Sequence, residues 1–327
     1  MKIVCVCVLL AFFLAFTITT GVSNASGVVP KVKASSGIGS SSDIGWGGFI
    51  TSINMAQSVL NELQSDGYTS LRYEALAPFF SSSSPDLINY AVLDYIVSTA
   101  VTMGITVVID PIHNYPESTS YTLQSHFSQW VTQLVTVGKR YNNDPNVILE
   151  CVNEYDLSDA PTKYQTIVNT LRSDGITLPL QFTYMWGSTG ALIPPKDPFN
   201  DISIGHHVYA DNDSDTSYML PGETFLQYCI RVGIEAREKA MFTDPNNECW
   251  FGYALAHGTK VLCTEIGGSD AYSPVMTHYN VAFVIRTLQY AQMYGVGVDC
   301  FRVGQESNIQ QYETLAEQWF KVPLFTA

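Results

Sequence analysis

Charge is scarce in this chain. Only 14% of its 327 residues are Asp, Glu, Lys or Arg, and acids outnumber bases 30 to 16, a formal charge of −14. Nucleic-acid binding needs clustered Lys and Arg to neutralise phosphates, so the composition argues against such a partner. Cysteine is sparse as well: Cys5 and Cys7 sit in an N-terminal apolar run, leaving Cys151, Cys229, Cys249, Cys263 and Cys300. There is no Cys-x-x-Cys pair, no His/Cys cluster and no His before His113, so no bound metal is expected. No Gly-x-Gly-x-x-Gly follows an early strand, which removes the main nucleotide-binding version of an open α/β sheet. After the first apolar run nothing approaches a membrane span, so no membrane association is expected of the body of the chain.

That first run reads as an export signal. Lys2 precedes an apolar stretch from Ile3 to Phe16, and small polar residues end at Ser23-Asn24-Ala25. Such a layout predicts cleavage after Ala25, a secreted product and one domain over residues 26–327. The alternative, an uncleaved anchor, is disfavoured by the shortness of the run. In an oxidising compartment Cys229 and Cys249, which lie outside the apolar runs, are the expected disulfide pair; the others read as buried thiols. Asn212-Asp213-Ser214 is a glycosylation acceptor sequence.

Beyond the signal, short apolar runs alternate with longer amphipathic ones. Strands are expected at Thr69–Arg72, Ile105–Asp110, Val147–Cys151, Leu178–Thr183, Ile202–Gly205, Lys260–Thr264 and Val296–Phe301, with a first at Ser36–Gly39 unless the Ser- and Gly-rich stretch from Ala34 to Ser42 is a linker. Helices are expected over Ile53–Leu63, Leu87–Met103 (capped near Ser84-Pro85-Asp86), Leu123–Tyr141, Pro161–Leu171, Glu223–Ala240 and Val275–Tyr294. Buried Val/Ile-rich strands alternating with helices imply a parallel sheet. Eight repeats in about 290 residues fit a closed (β/α)8 barrel (a TIM barrel) in a single domain.

Two glutamates stand just past such strands: Glu154 after Val147–Cys151, and Glu265 after Lys260–Thr264. Burying an ionised acid is costly unless it is paired. The carboxyl ends of barrel strands are, however, where catalytic groups gather, and two facing carboxylates can cleave a glycosidic bond. Tyr at 19, Phe at 16 and Trp at 5 supply faces on which sugar rings stack, Trp46, Trp186 and Trp250 among them; Trp186, just past the fifth strand, is the favoured one.

Several segments resemble glycoside hydrolase family 5. Val152-Asn153-Glu154 is similar to the family's Asn-Glu pair after the fourth strand, and Thr264-Glu265-Ile266-Gly267 to its nucleophile segment after the seventh. His207-Val208-Tyr209 matches the His-x-Tyr after the sixth. Leu71-Arg72 and Asp110-Pro111-Ile112-His113-Asn114 resemble the segments after the second and third. The resemblance implies a retaining hydrolase of β-linked glycosides, endo-β-1,4-glucanase or β-mannanase-like, with no cofactor. Its partner would be a β-linked oligo- or polysaccharide. Glu265 would be the nucleophile and Glu154 the acid/base, with a raised pKa. Asn153 would donate to the sugar 2-hydroxyl, Arg72 would keep Glu265 ionised, Tyr209 would hydrogen-bond it, and His207 and His113 would orient carboxylates or hydroxyls.

Two departures stand out: Tyr155 follows the acid/base where the family has Pro, and Cys300-Phe301-Arg302-Val303-Gly304 lacks the eighth-strand Trp. Plainer readings stand beside these roles. Glu154 could be a loop acid, and Arg72 could pair structurally with Glu74 or Glu150. The whole could also be an inactive carbohydrate-binding barrel, or a metal-dependent hydrolase using Asp110, His113, His207 and Glu265.

Overall fold

A computed structural model describes residues 34–38, 40–41, 46–47, 50, 52–66, 69–74, 88–111, 124–155, 157–184, 193–210, 217–267, 276–301, 312 and 314–322. The expected export signal, the expected Ser84–Asp86 cap, His113, Trp186, the Asn212 acceptor sequence and the side chain of Trp46 lie outside them.

Eight parallel strands close into a barrel: β1 (Ala34–Ile38), β2 (Ser70–Glu74), β3 (Thr106–Asp110), β4 (Val147–Asn153), β5 (Leu180–Tyr184), β6 (Ile202–Tyr209), β7 (Lys260–Gly267) and β8 (Gly297–Phe301). The seam is made by β1, which pairs with β8 on one side and β2 on the other. A two-residue antiparallel ribbon, Ser40–Ser41 with Trp46–Gly47, follows β1. Around the barrel run α1 (Ile53–Asp66), α2 (Tyr90–Met103), α3 (Phe127–Tyr141), α4 (Ala160–Ser173), α5 (Phe225–Arg231), α6 (Ile234–Thr243), α7 (Phe251–Ala256) and α8 (His278–Tyr294).

Local chemistry sets these limits. Gly104 and Gly295 end α2 and α8 in the left-handed conformation, at φ 71° and 68°, where a glycine avoids the Cβ penalty. Thr277 caps α8 by accepting from the Asn280 amide. The expected single helix from Glu223 to Ala240 is two: it breaks at Val232-Gly233, where Gly233 takes φ +84° and leaves an α5 of seven residues. At six residues, α7 is too short for a helical period to mark it in the sequence. The expected disulfide is absent: Cys229 is a buried thiol on the inner side of α5, and no bond joins it to Cys249. Burial pushes the Cys229 thiol up to about 12, which holds it protonated and unreactive.

The barrel interior narrows at Gly205 on β6. A Cβ there would press on Thr183 Oγ1 and lie 2.7 Å from Thr264 Cγ2. Both neighbours are β-branched and stiff. Outside the barrel, Glu238 of α6 is fully buried against α8, accepting one bond from Thr287 Oγ1 at 2.9 Å. Its Oε1 has no partner among the described residues, and burial pushes the carboxyl up to about 8.

Two outcomes follow from this packing. Gly205→Ala should cost about 1–3 kcal/mol through overpacking, read as a lowered Tm; an unchanged Tm would mean that the two threonines yield. Glu238 is protonated in the fold and ionised in the unfolded chain above its ordinary value of 4.5. Its contribution is therefore complete below about pH 4.5 and lost as pH rises through about 8, at up to about 1.4 kcal/mol per pH unit. Glu238→Gln should flatten the Tm profile across that window, and parallel profiles would show that Glu238 does not titrate there.

Candidate active site

At the carboxyl end of the strands one guanidinium gathers the acids. Arg72 of β2 is fully buried and donates from Nε and Nη2 to the two oxygens of Glu150 on β4, at 2.6 and 3.0 Å. Nη1 is shared between Glu74 on its own strand, at 2.6 Å, and Glu265 on β7, at 3.0 Å. Nη2 also reaches Asn153 Oδ1 at 2.9 Å and Asp110 of β3 at 3.3 Å. The pairing with Glu74 or Glu150 and the pairing with Glu265 are thus both made. Arg suits this place because its planar fork carries five donors. Burial pushes the Arg72 pKa down, but the surrounding carboxylates outweigh it and raise it well above the ordinary value. Burial raises Glu150, with Arg72 opposing.

Strand periodicity alone would not bring these groups together. Arg72 and Glu74, or His207 and Tyr209, are two apart and share a face. Glu150 and Asn153 are three apart, yet both bind Arg72. The β4–β5 register slips between Glu150 and Val152, and this bulge turns Asn153 inward. It leaves the Cys151 carbonyl to be met by the indole N–H of the buried Trp130, at 2.8 Å. On β7, Thr264 points at Gly205 and the next residue, Glu265, at Arg72. The β6–β7 register slips at the same level, pairing His206 with Cys263 and His207 with Glu265.

His207 stands between the two glutamates. Its Nδ1 is 2.7 Å from Glu154 Oε1, and its Nε2 is 3.3 Å from Glu265 Oε1, the latter outside hydrogen-bond alignment. Burial pulls the imidazole pKa down, but Glu265 and Glu154 together raise it, favouring the imidazolium. Tyr209 donates its hydroxyl to the other oxygen of Glu265. Burial and Glu265 keep that phenol protonated, far above its ordinary pKa. Glu265 is therefore held at both oxygens, with a side chain 6% exposed against 36% for Glu154. His206 faces outward against Phe251, rings 5.6 Å apart, and burial pushes it down to about 3.

Glu154 adopts a left-handed φ of 57°, a conformation that costs a non-glycine residue about 1–3 kcal/mol. What holds it there was not legible in the sequence. Its amide donates to the Thr183 carbonyl at 3.0 Å. The next residue, Tyr155, is buried between Trp130 and Tyr164, with ring centroids at 5.4 and 6.3 Å. Tyr164 donates its hydroxyl to the Tyr155 carbonyl at 2.7 Å. Packing thus clamps the turn at the position where the family has Pro. Trp250 is half-buried against the core before α7.

Among the described residues no three His, Cys, Asp or Glu side chains are arranged to hold a metal ion; a guanidinium fills the space between the acids. Arg72→Lys keeps one charge but removes the fork whose donors are divided among four buried carboxylates. It should cost about 3–5 kcal/mol, read by chemical denaturation; a loss below 1 kcal/mol would show that the acids do not depend on the fork.

Comparison with known proteins places the fold and the family. The cellulase family model (glycosyl hydrolase family 5) matches residues 28–307. None of the curated proteins matches the sequence. Among solved structures, the cellulose synthase subunit Z of Clostridioides difficile superposes with a TM-score of 0.63 at 16% identity, over 84% of this chain and 93% of that one. A broad-specificity endoglucanase from an uncultured bacterium gives 0.59 at 10% identity, covering 89% and 94%. Thermotoga maritima Cel5A, solved with mannotriose, gives 0.59 at 11%, covering 84% and 91%. Likeness at such identities speaks for the fold; the family match extends over most of the chain, and the protein belongs to glycoside hydrolase family 5.

Proposed function

We propose that the protein is a retaining hydrolase of β-linked glucans or mannans, exported through its N-terminal signal. The observation that carries this reading is the sharing of one imidazole, His207, by Glu154 and Glu265 at 2.7 and 3.3 Å. Both carboxylates thus converge on one side chain at the carboxyl end of the barrel, as a pair acting on one glycosidic bond must, and in the retaining reading they stand roughly 5 Å apart.

In this reading Glu265, held by Arg72 and Tyr209, attacks the anomeric carbon. The bond to the departing oxygen breaks, and that oxygen takes the proton of Glu154. Glu154 then removes a proton from water, whose oxygen attacks the same carbon and releases Glu265. The greater exposure of Glu154 suits a group that must reach both leaving group and water. Arg72 binds the acceptor end of the Asn153 amide, so the N–H end is the one to meet the sugar 2-hydroxyl. The endoglucanase and the mannotriose complex among the similar structures make β-glucans and mannans the substrates to try first.

Sugar release from β-glucan, mannan and xylan by the purified mature chain tests the proposal. Glu154→Gln should lower kcat on the order of 10²–10⁴-fold, and Glu265→Gln should abolish turnover. Nuclear magnetic resonance of the first product should show the β-anomer. Release by Glu265→Gln at the wild-type rate would remove the nucleophile assignment, and an α-anomer would establish inversion.

A further inference from the structure

Tyr218 is 65% exposed, yet the backbone on either side of it is held by hydrogen bonds. Tyr228 donates its hydroxyl to the Ser217 carbonyl at 2.9 Å, and Arg231 Nη2 donates to the Tyr218 carbonyl at 2.8 Å. The Leu220 amide donates to Glu223 Oε2 at 2.7 Å, and the Glu223 carboxylate is itself forked by Arg231. Met219, the next residue, packs on the core. The segment is thus anchored while the tyrosine ring stands in solvent.

Below the ring lie more aromatics. Tyr218 meets His278 edge to face, centroids 4.7 Å apart, and His278 stacks within 8° of parallel on Trp319 at 4.2 Å. Phe320 closes the layer beneath, 5.6 Å from His278 and 5.2 Å from Phe225. Trp319 and Phe320 belong to a π-helix, Ala316–Phe320, a turn often found at functional sites. Burial lowers the His278 pKa, so the stack is uncharged near neutrality.

The position is informative. Tyr218 follows β6, His278 opens the helix after β7, and Trp319 follows β8. Chain leaving those strands emerges at the end of the barrel that carries Glu154 and Glu265. A rigid, neutral, exposed ring there suits an uncharged polymer laid across that end, because a preorganised face spends no entropy on ordering.

We propose that Tyr218, supported by His278 and Trp319, is an outer platform that stacks a sugar ring of a neutral polysaccharide. The proposal rests on the glycosidase reading for its ligand class. Its test is binding without turnover. The Glu265→Gln chain is run by affinity electrophoresis through gels containing soluble mixed-linkage β-glucan or glucomannan. Adding Tyr218→Ala should weaken retention about three- to tenfold on at least one polymer, while Tyr218→Phe and Tyr218→Trp keep it. Equal retention with Tyr218→Ala, or equal loss with Tyr218→Phe, would overturn the platform, as would a Glu265→Gln chain not retained by either polymer. Gel filtration separates one rival: a change of oligomeric state in Tyr218→Ala with glycan retention intact would assign the ring to self-association. The two proposals fail separately. Cleavage by the wild type with Tyr218-independent retention removes the platform alone. Tyr218-dependent retention with no cleavage by the wild type removes the hydrolase alone.

Discussion

The site is organised by a buried ion cluster in which Arg72 meets Glu74, Asp110, Glu150 and Glu265, drawn from four barrel strands. Carboxylates this close repel strongly in a low dielectric, and an isolated buried acid would cost more than the fold could offset. The guanidinium makes the arrangement possible because its donors are divided by geometry. Two go to Glu150 as a fork, and Nη1 is shared between Glu74 and Glu265. A single formal positive charge cannot neutralise four carboxylates, and burial accordingly drives Glu150 toward its protonated form. Glu265 thus sits at the open edge of a charge network whose deeper members are structural. Removing the hub would disturb Glu265 and the deeper acids together.

Two strand irregularities deliver the acids to that hub. A regular strand alternates its faces, so Glu150 with Asn153, or Thr264 with Glu265, could not all point inward. The bulge in β4 and the register slip between β6 and β7 solve the same problem on the two strands that carry the glutamates. The exposed carbonyl at the β4 bulge is met by Trp130 from α3. The helical layer therefore stabilises a backbone irregularity whose use lies on the far side of the sheet.

The left-handed turn at Glu154 is a further local cost, and it is carried by packing. Tyr155, wedged between Trp130 and Tyr164, anchors the residue after Glu154 by volume and hydrogen bonding. This is why a departure from the family pattern at that position is compatible with an acid presented 36% exposed beside His207. A rigid backbone under an exposed side chain recurs at Tyr218, again held from below by hydrogen bonds and stacked rings.

The sequence by itself determined the architecture. Eight short strand-like runs, several of them rich in Val and Ile, spaced by amphipathic segments have few ways to bury both faces of a parallel sheet, and the glycines at 104 and 295 marked helix ends through a conformation other residues avoid. The positions of Glu154 just past β4 and of Glu265 near the end of β7, which runs on to Gly267 beyond the expected Thr264, were legible with those of Arg72, Asn153, His207 and Tyr209 because strand ends are short and ordered along the chain. Tertiary structure alone decided the rest. Side-chain alternation predicts one face per residue, so the bulges that reverse it could not be read from period. Nor could the four-way division of Arg72, since its partners lie 2 to 193 residues away. The expected helix over Glu223–Ala240 and the pairing of Cys229 with Cys249 failed for the same reason. Gly233 broke the first by adopting φ +84°, and burial within the core kept the Cys229 thiol from any disulfide.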